Sequence, residues 1–271
     1  MRLYGDGFAT AFIQLTIFYY LIGSMIHFII PVIFPIKYIQ NVQQGRSEVF
    51  RDAIYSLGPI TVRAGIWTVV EKLHMNGYGY LYEGHLNNFT NIAYCIVCIV
   101  MLDALQDTLF YWVHRLLHWR TLYKHVHYIH HKSKAPSAFT GYSFHVGEAL
   151  LVFSIEALVI FVFPIHAALH RAYHLAITFI HMGGHAGYEL APFIPTVEGI
   201  MRMLLFGCKC PCIALNTVQH HDLHHRFPTK HFSLYFTHWD KLFGTEHKDY
   251  NSRFTYFTKT TISHQMASTS T

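Results

Sequence analysis

The sequence predicts an all-α, polytopic membrane protein, with about four transmembrane helices carrying a cytosolic, histidine-rich cap that holds a di-metal site. Three observations predict it. Of 271 residues, 52% are apolar and only 13% charged, against about a quarter charged in a soluble domain, which excludes an ordinary soluble enzyme. Long uncharged runs recur through the first two thirds of the chain. Histidine is in excess, 23 residues against 15 Asp plus Glu. The formal charge of +5 is too modest and too embedded in apolar sequence for a nucleic-acid binder, and it fits a cytosolic membrane face. Five cysteines, with Cys95 and Cys98 inside an apolar run, exclude a disulfide framework.

Phe8 to Phe34 is 27 residues without Asp, Glu, Lys or Arg, about 40 Å of helix, enough to cross a core of about 30 Å with tilt. No small-residue cleavage site follows, so the run reads as an anchor, with Pro31 and Pro35 at its exit. Ala53 to Val70 is a weaker span, interrupted by Arg63, and residues 72–88, with Gly77, Gly79 and Gly84, read as a loop. Asn88-Phe89-Thr90 matches a glycosylation sequon of low specificity. Phe89 to Leu102 opens a third span whose helical pattern continues through Asp103 and Asp107 to His118. Ala149–Phe163 and Ala168–Ile180, parted by Pro164-Ile165-His166, read as a hairpin that crosses and returns. The expected organisation is an N-terminal membrane anchor region over 1–88, a catalytic domain over 89–250 and a Ser/Thr-rich tail over 251–271.

Ten histidines fall into four spacings: His114-x3-His118, His127-x2-His130-His131, His181-x3-His185 and His221-x2-His224-His225. Residues i and i+4 share a helix face, so His114 with His118, and His181 with His185, suit one ion per pair. In each HxxHH the first and last histidines pair, while the middle one is turned away by about 100°. His130 and His131 therefore point to different ions, and two metals fit better than one. Imidazole ligands suit Zn, Cu, Fe or Ni. No HExxH and no Glu-rich di-iron bundle pattern occurs, and structural zinc is satisfied by four ligands, so a redox di-metal site is the expectation.

His166, His170 and His174 share the i+4 spacing, but His166 lies about 22 Å along the helix from His181. His166 and His170 are expected outside the site, as are His27, His74, His85, His247 and His264, with His125 and His220 as neighbours only. Metal-bound imidazoles pass their second N–H to an acceptor, which makes Asp103, Asp107, Asp222 and Asp240 candidate partners. Cys208-Lys-Cys-Pro-Cys212 has no partner cysteine pair and reads as a loop or acylation site.

These boxes resemble the fatty acid hydroxylase/sterol desaturase superfamily from about Asp103 to Thr245. The likeness rests on Asp107-Thr-Leu-Phe-Tyr-Trp-Val-His114, Phe144-His145-x2-Glu148, His181-x3-His185-x-Gly187, His221-Asp-Leu-His224-His225 and Trp239-Asp-Lys-Leu-Phe-Gly-Thr245. Ser137 to His145 is similar to C-5 sterol desaturases, and Tyr235 to Asp240 to cholesterol 25-hydroxylase. Two positions depart: Val146 replaces the usual Pro, and His231-Phe-Ser233 replaces an expected Asn-Tyr-Gly.

The resemblance implies an integral membrane oxidoreductase of the endoplasmic reticulum, its active site facing the cytosol. It implies two iron ions, O2 and an external donor such as cytochrome b5 with NAD(P)H; the chain has no haem-binding or dinucleotide motif of its own. All ten box histidines are expected as metal ligands, with Asp107, Asp222, Asp240 and His145 just behind them, and no catalytic residue beyond the ligands. The expected reaction is hydroxylation or desaturation of a lipid, a sterol before a sphingolipid or fatty acid, with Phe139, Tyr142 and Phe144 facing a rigid ring system. A metal transporter and a non-catalytic lipid-binding relative are the alternatives from other classes. The basic residues Arg115, Arg120, Lys124 and Lys132 are the expected docking patch for the donor, with phospholipid attraction as the simpler reading.

Overall fold

A computed structural model describes residues 7–189, 196–206, 215–248 and 250. Cys208, Cys210, Cys212, His264 and the expected tail lie outside the described residues. In order, the chain forms α1 (Gly7–Ser24), a wide π turn (Met25–Ile29), α2 (Ile30–Ile33), α3 (Arg46–Tyr55), α4 (Leu57–Met75), the two-residue strand β1 (Leu81–Tyr82) and α5 (Phe89–Leu117). The second half holds α6 (Arg120–His125), 3₁₀ turns at His127–Lys132 and Ala138–Tyr142, α7 (Val146–Leu158), β2 (Ile165–His166), α8 (Ala167–Gly184), α9 (Val197–Phe206), α10 (Val218–Arg226) and α11 (His238–Leu242).

Among the described residues, three helical stretches are long and apolar enough to cross a membrane: Gly7–Ile33, Arg46–Met75 and Phe89–Leu117. The first ends as its sequence dictates. Pro31 has no N–H to give, the wide turn before it absorbs the missing bond, and the chain leaves helical geometry at Phe34. The weaker span belongs to the second stretch. Arg63 is fully buried there, its guanidinium 2.7 Å from Glu156 of α7 and bonded to Tyr142 and Thr178. An intramembrane charge is tolerated when it is paired in this way.

The expected hairpin differs. α7 has 13 residues, only about 20 Å at 1.5 Å per residue, too short to span. α8 has 18 residues but buries His170, Arg171, His174 and Thr178. The two pack against the spans, and neither is among the three stretches long and apolar enough to cross. The Gly-rich stretch before α5 is tied down: β1 pairs in parallel with β2, and Tyr80 N donates to Ile160 O at 2.7 Å. Asn88 caps α5, its Oδ1 accepting from Asn91 N at 2.8 Å, which is the structural reason for asparagine there.

One apolar core joins α1 and α4 to Phe139, Tyr142 and Phe144; a second joins α5 to α7 and α8. At Gly23 a Cβ would stand 2.8 Å from the Phe139 ring and 2.9 Å from Met182 Cε. Glycine at this position lets α1 approach Phe139 and Met182 this closely.

Candidate metal centre

α5 carries two of the box histidines out of its apolar run, and the helix stops directly after them. His114 is three residues from its end and His118 is the C-cap, so both project from the last turn. α10 is short, nine residues, and starts on a side-chain cap from Thr217 to His220 N at 3.2 Å. Residues 218–225 are all buried, so this polar helix is held by its surroundings and not by an amphipathic face. The second box is a 3₁₀ turn, tethered by the residue after it. Ser133 Oγ donates to Asp52 at 2.7 Å, and Asp52 also accepts from Thr140 at 2.8 Å and Ser143 at 2.9 Å. The buried carboxylate of α3 thus ties the box-bearing loops to the second apolar stretch.

The structure gathers nine of the ten box histidines into two adjoining groups. His114, His118, His127, His131 and His224 form one; His130, His185, His221 and His225 form the other. Within each, the candidate ligand atoms lie within 4.8 Å of one another. In both HxxHH boxes the first and last histidines share a group and the middle one joins the other; the His130 and His131 rings stand 84° apart.

Ring nitrogens face each other across both groups. Nε2 to Nε2 distances are 3.1 Å for His118–His224 and for His127–His131, 2.7 Å for His185–His221 and 3.3 Å for His130–His185. Several outward nitrogens are already committed. His114 Nδ1 donates to Phe232 O at 2.9 Å, His224 Nδ1 to Lys230 O at 2.6 Å and His185 Nδ1 to His181 O at 2.7 Å. His127 Nδ1 lies 2.8 Å from Glu148 Oε1. A neutral imidazole has one N–H, so His114, His185 and His224 turn lone pairs inward. Burial, reinforced by neighbouring imidazoles, lowers the pKa of His127, His130, His131, His221, His224 and His225 well below the usual histidine value. Clustered, neutral, inward-facing lone pairs backed by carbonyls are what two imidazole-bound cations require, and the residues fit two such ions.

Five residues expected in or behind the ligand set have other partners or places. His181 stays outside both groups: one turn before the end of α8, its ring is 4.9 Å from His185 and 6.4 Å from His221, and its carbonyl orients His185. His145 caps α7, accepting from Gly147 N at 3.0 Å. Asp222 accepts from Gln40 at 2.7 Å and pairs with Arg226 at 3.1 Å. Asp107 accepts from the amides of Leu234 and Tyr235 at 3.1 and 2.7 Å, not from an imidazole. It acts at one remove, pinning to α5 the segment whose Phe232 carbonyl orients His114. Asp240 pins the same segment through Phe232 N at 2.9 Å and Ser233 N at 3.0 Å. Sequence reasoning missed Glu148 and the three carbonyls. Carbonyls leave no sequence signal, whereas Glu148 stood in the Phe144-His145-x2-Glu148 match.

His166 and His170 lie away from both groups, bonded to Gly84 O at 3.1 Å and Glu156 O at 2.9 Å; His174 contacts His170 at 3.2 Å. A narrow cavity reaches the histidines between α5 and α7, with Phe110, Leu117, Phe144 and Val152 on its apolar wall. Phe139 and Tyr142 do not face it; they are taken up by α1, with Tyr142 stacked on Tyr19 at 5.0 Å and Phe139 edge-on to it.

The sequence model of the fatty acid hydroxylase family matches residues 99–245, more than half of the chain. Lathosterol oxidase of Mus musculus is 27% identical over 206 residues, 74% of this chain and 62% of the relative. Methylsterol monooxygenase 1 of Rattus norvegicus is 27% identical over 162 residues, 58% of this chain and 48% of the relative. Cholesterol 25-hydroxylase of Rattus norvegicus is 27% identical over 156 residues, 57% and 47%. The chain therefore matches less than two thirds of the length of these relatives. No solved structure matches.

Proposed function

Because the chain belongs to the fatty acid hydroxylase family, we propose that it is a membrane di-iron lipid oxygenase performing O2-dependent hydroxylation or desaturation, with a sterol as substrate. The observation that carries the reading is the pair of buried imidazole groups with lone pairs turned inward. Five histidines of one group and four of the other would hold one ion each, and His181 would complete the second group only if its ring turned toward His185. When bound, the two ions supply dioxygen activation and the oxidising power for C–H cleavage.

The chain's own residues do the rest. The carbonyls of Lys230, Phe232 and His181 hold protons on Nδ1 of His224, His114 and His185, leaving Nε2 free to ligate. Glu148 Oε1 faces His127 Nδ1 at 2.8 Å, placed for the same role. Phe110, Leu117, Phe144 and Val152 exclude water and guide an apolar substrate from the lipid side to the histidines. Electrons come from an external donor such as cytochrome b5 with NAD(P)H; exposed Arg120, Lys124 and Lys132 and the half-buried Arg115 offer a basic surface for an acidic carrier.

The unit of residues 89–250 carries the chemistry on the anchor of residues 1–88, in the endoplasmic reticulum membrane with the histidines on the cytosolic side. Sterol-oxidising relatives favour the sterol. A sphingolipid or fatty acid substrate is the second reading, favoured by the family that the chain matches. Lipid mass spectrometry after expression in a host supplied with both classes separates them. A sterol altered by one oxygen or one double bond supports the proposal; new hydroxyacyl or sphingoid species with sterols unchanged overturns the substrate and leaves the chemistry standing.

A further inference from the structure

Behind the first histidine group the fold buries a third set of ligand-type side chains, which the oxygenase reading does not use. His220 follows the cap of α10, His231 sits in the turn after that helix, and Asp240 is in the first turn of α11. All three are 0% exposed, and one ligand atom from each lies within 4.8 Å of the others. His220 and His231 rings are 4.1 Å apart.

Polar atoms here lack partners. Nδ1 of His220 and Nδ1 of His231 make no hydrogen bond. His220 Nε2 pairs with Asp240 Oδ2 at 3.3 Å. Two donors at about 2.0–2.2 Å from one tetrahedral ion stand about 3.4 Å apart, so that separation suits two ligands of a shared cation. Asp240 is already oriented by Phe232 N, Ser233 N and Thr245 Oγ1, as ligating carboxylates are.

His231 is also the position where the family pattern leads one to expect asparagine. Its φ is +61°, and it is the one non-glycine residue with positive φ among those described; asparagine tolerates this left-handed conformation as well as histidine or better. The histidine therefore adds an imidazole without being needed for the turn.

We propose that His220, His231 and Asp240 form a third divalent-metal site, separate from the two histidine groups and of the two-imidazole, one-carboxylate kind that zinc accepts. His220 and Asp240 present facing atoms, and His231 presents Nδ1. Ligation through Nδ1 places the His231 proton on Nε2 and breaks the bond that His247 N now donates there at 3.1 Å, a single hydrogen bond exchanged for a coordinate bond. The ion's role is structural. His231 lies between Lys230 and Phe232, whose carbonyls orient His224 and His114, so an ion on its ring fixes the segment that aims two ligands of the first group.

The test is zinc counting on the purified full chain after saturation with Zn2+ and removal of loosely held metal. The wild type is expected to keep one equivalent more than His231→Asn, whatever the two histidine groups hold, because asparagine keeps the turn and removes only the ligand. His220→Gln, as a second variant, is expected to lose the same equivalent. Equal zinc content in the wild type and His231→Asn overturns the proposal, whether both hold the extra ion or neither does.

Discussion

Two buried polar centres lie in this molecule, and they are built on opposite principles. Around Arg63 opposite charges meet, and donors meet acceptors, with Arg63 Nε alone of its nitrogens unpartnered. The guanidinium meets Glu156 at 2.7 Å and His174 O at 2.5 Å, Trp67 Nε1 donates to the other Glu156 oxygen at 2.7 Å, and the Trp67 and Phe153 rings cover the charge. In the histidine cap, imidazoles of one kind face each other, burial and neighbouring imidazoles drive their pKa values down, and the backing carbonyls turn the lone pairs of His114, His185 and His224 inward. The Arg63 centre neutralises its own charge and holds helices together without an ion; the histidine centre offers lone pairs that a cation would share.

The comparison is broken most completely by removing a facing imidazole. His131→Ala, or His224→Ala, is expected to lose bound metal and to bring turnover to background, read by metal analysis and by lipid product formation. Full retention of both would mean that the facing geometry has no bearing on ligation.

Proton uptake gives the next largest effect, in the metal-free protein. The folded-state pKa values of His127, His130, His131, His221, His224 and His225 are lowered, while the unfolded chain titrates near its ordinary value of about 6.5. Below that pH the unfolded state binds more protons, so stability falls as pH falls. Between pH 6.5 and 5.5 the loss is about 1 kcal/mol for each histidine that stays neutral in the fold. Thermal unfolding in detergent at several pH values measures it, and metal loading should flatten the dependence until the ions are released.

The Arg63 centre should respond to mutation and not to metal. Arg63→Ala or Glu156→Ala alone strands a buried charge and is expected to cost about 3–5 kcal/mol, whereas replacing both by apolar residues of similar volume recovers most of it. Unfolding of the two single variants and the double variant decides this; a double variant as unstable as the singles would show that the pair does more than neutralise itself. The smallest effect is at Asp107. Asp107→Asn leaves an acceptor for the Leu234 and Tyr235 amides but weakens it, loosening the segment that aims His114. Metal affinity should fall about tenfold, at the low end for groups that orient ligands, as measured by competition with a chelator.

How legible each centre was follows from the same contrast. The histidine groups are assembled from short-range patterns, so spacing alone exposes the boxes and the opposed directions of His130 and His131. His181 has the same i+4 relation to a capping histidine as His114, yet its ring lies 4.9 Å from His185 and 6.4 Å from His221 and outside both groups, a difference in side-chain direction that spacing does not encode. The carboxylates escape for another reason. Spacing puts Asp107 on the face of His114, but three backbone amides more than 120 residues away in sequence claim it. The Arg63–Glu156 pair spans 93 positions, and a sequence shows only an interrupted apolar run there. The hairpin is less legible: α7 and α8 pack against the spans, yet Leu150, Leu151 and Leu158 of α7 stay exposed, and apolar content alone does not separate lipid-facing helices from buried ones.

The central claim is that two ions sit in the facing histidine groups and drive lipid oxidation. Iron analysis of the purified full chain, run beside oxygen consumption with a lipid substrate and a reduced carrier, tests it most directly. Two irons per chain and lipid-dependent oxygen uptake are expected, both lost together in His131→Ala. Lipid oxidation that proceeds undiminished in protein stripped of iron, or in His131→Ala, would contradict it.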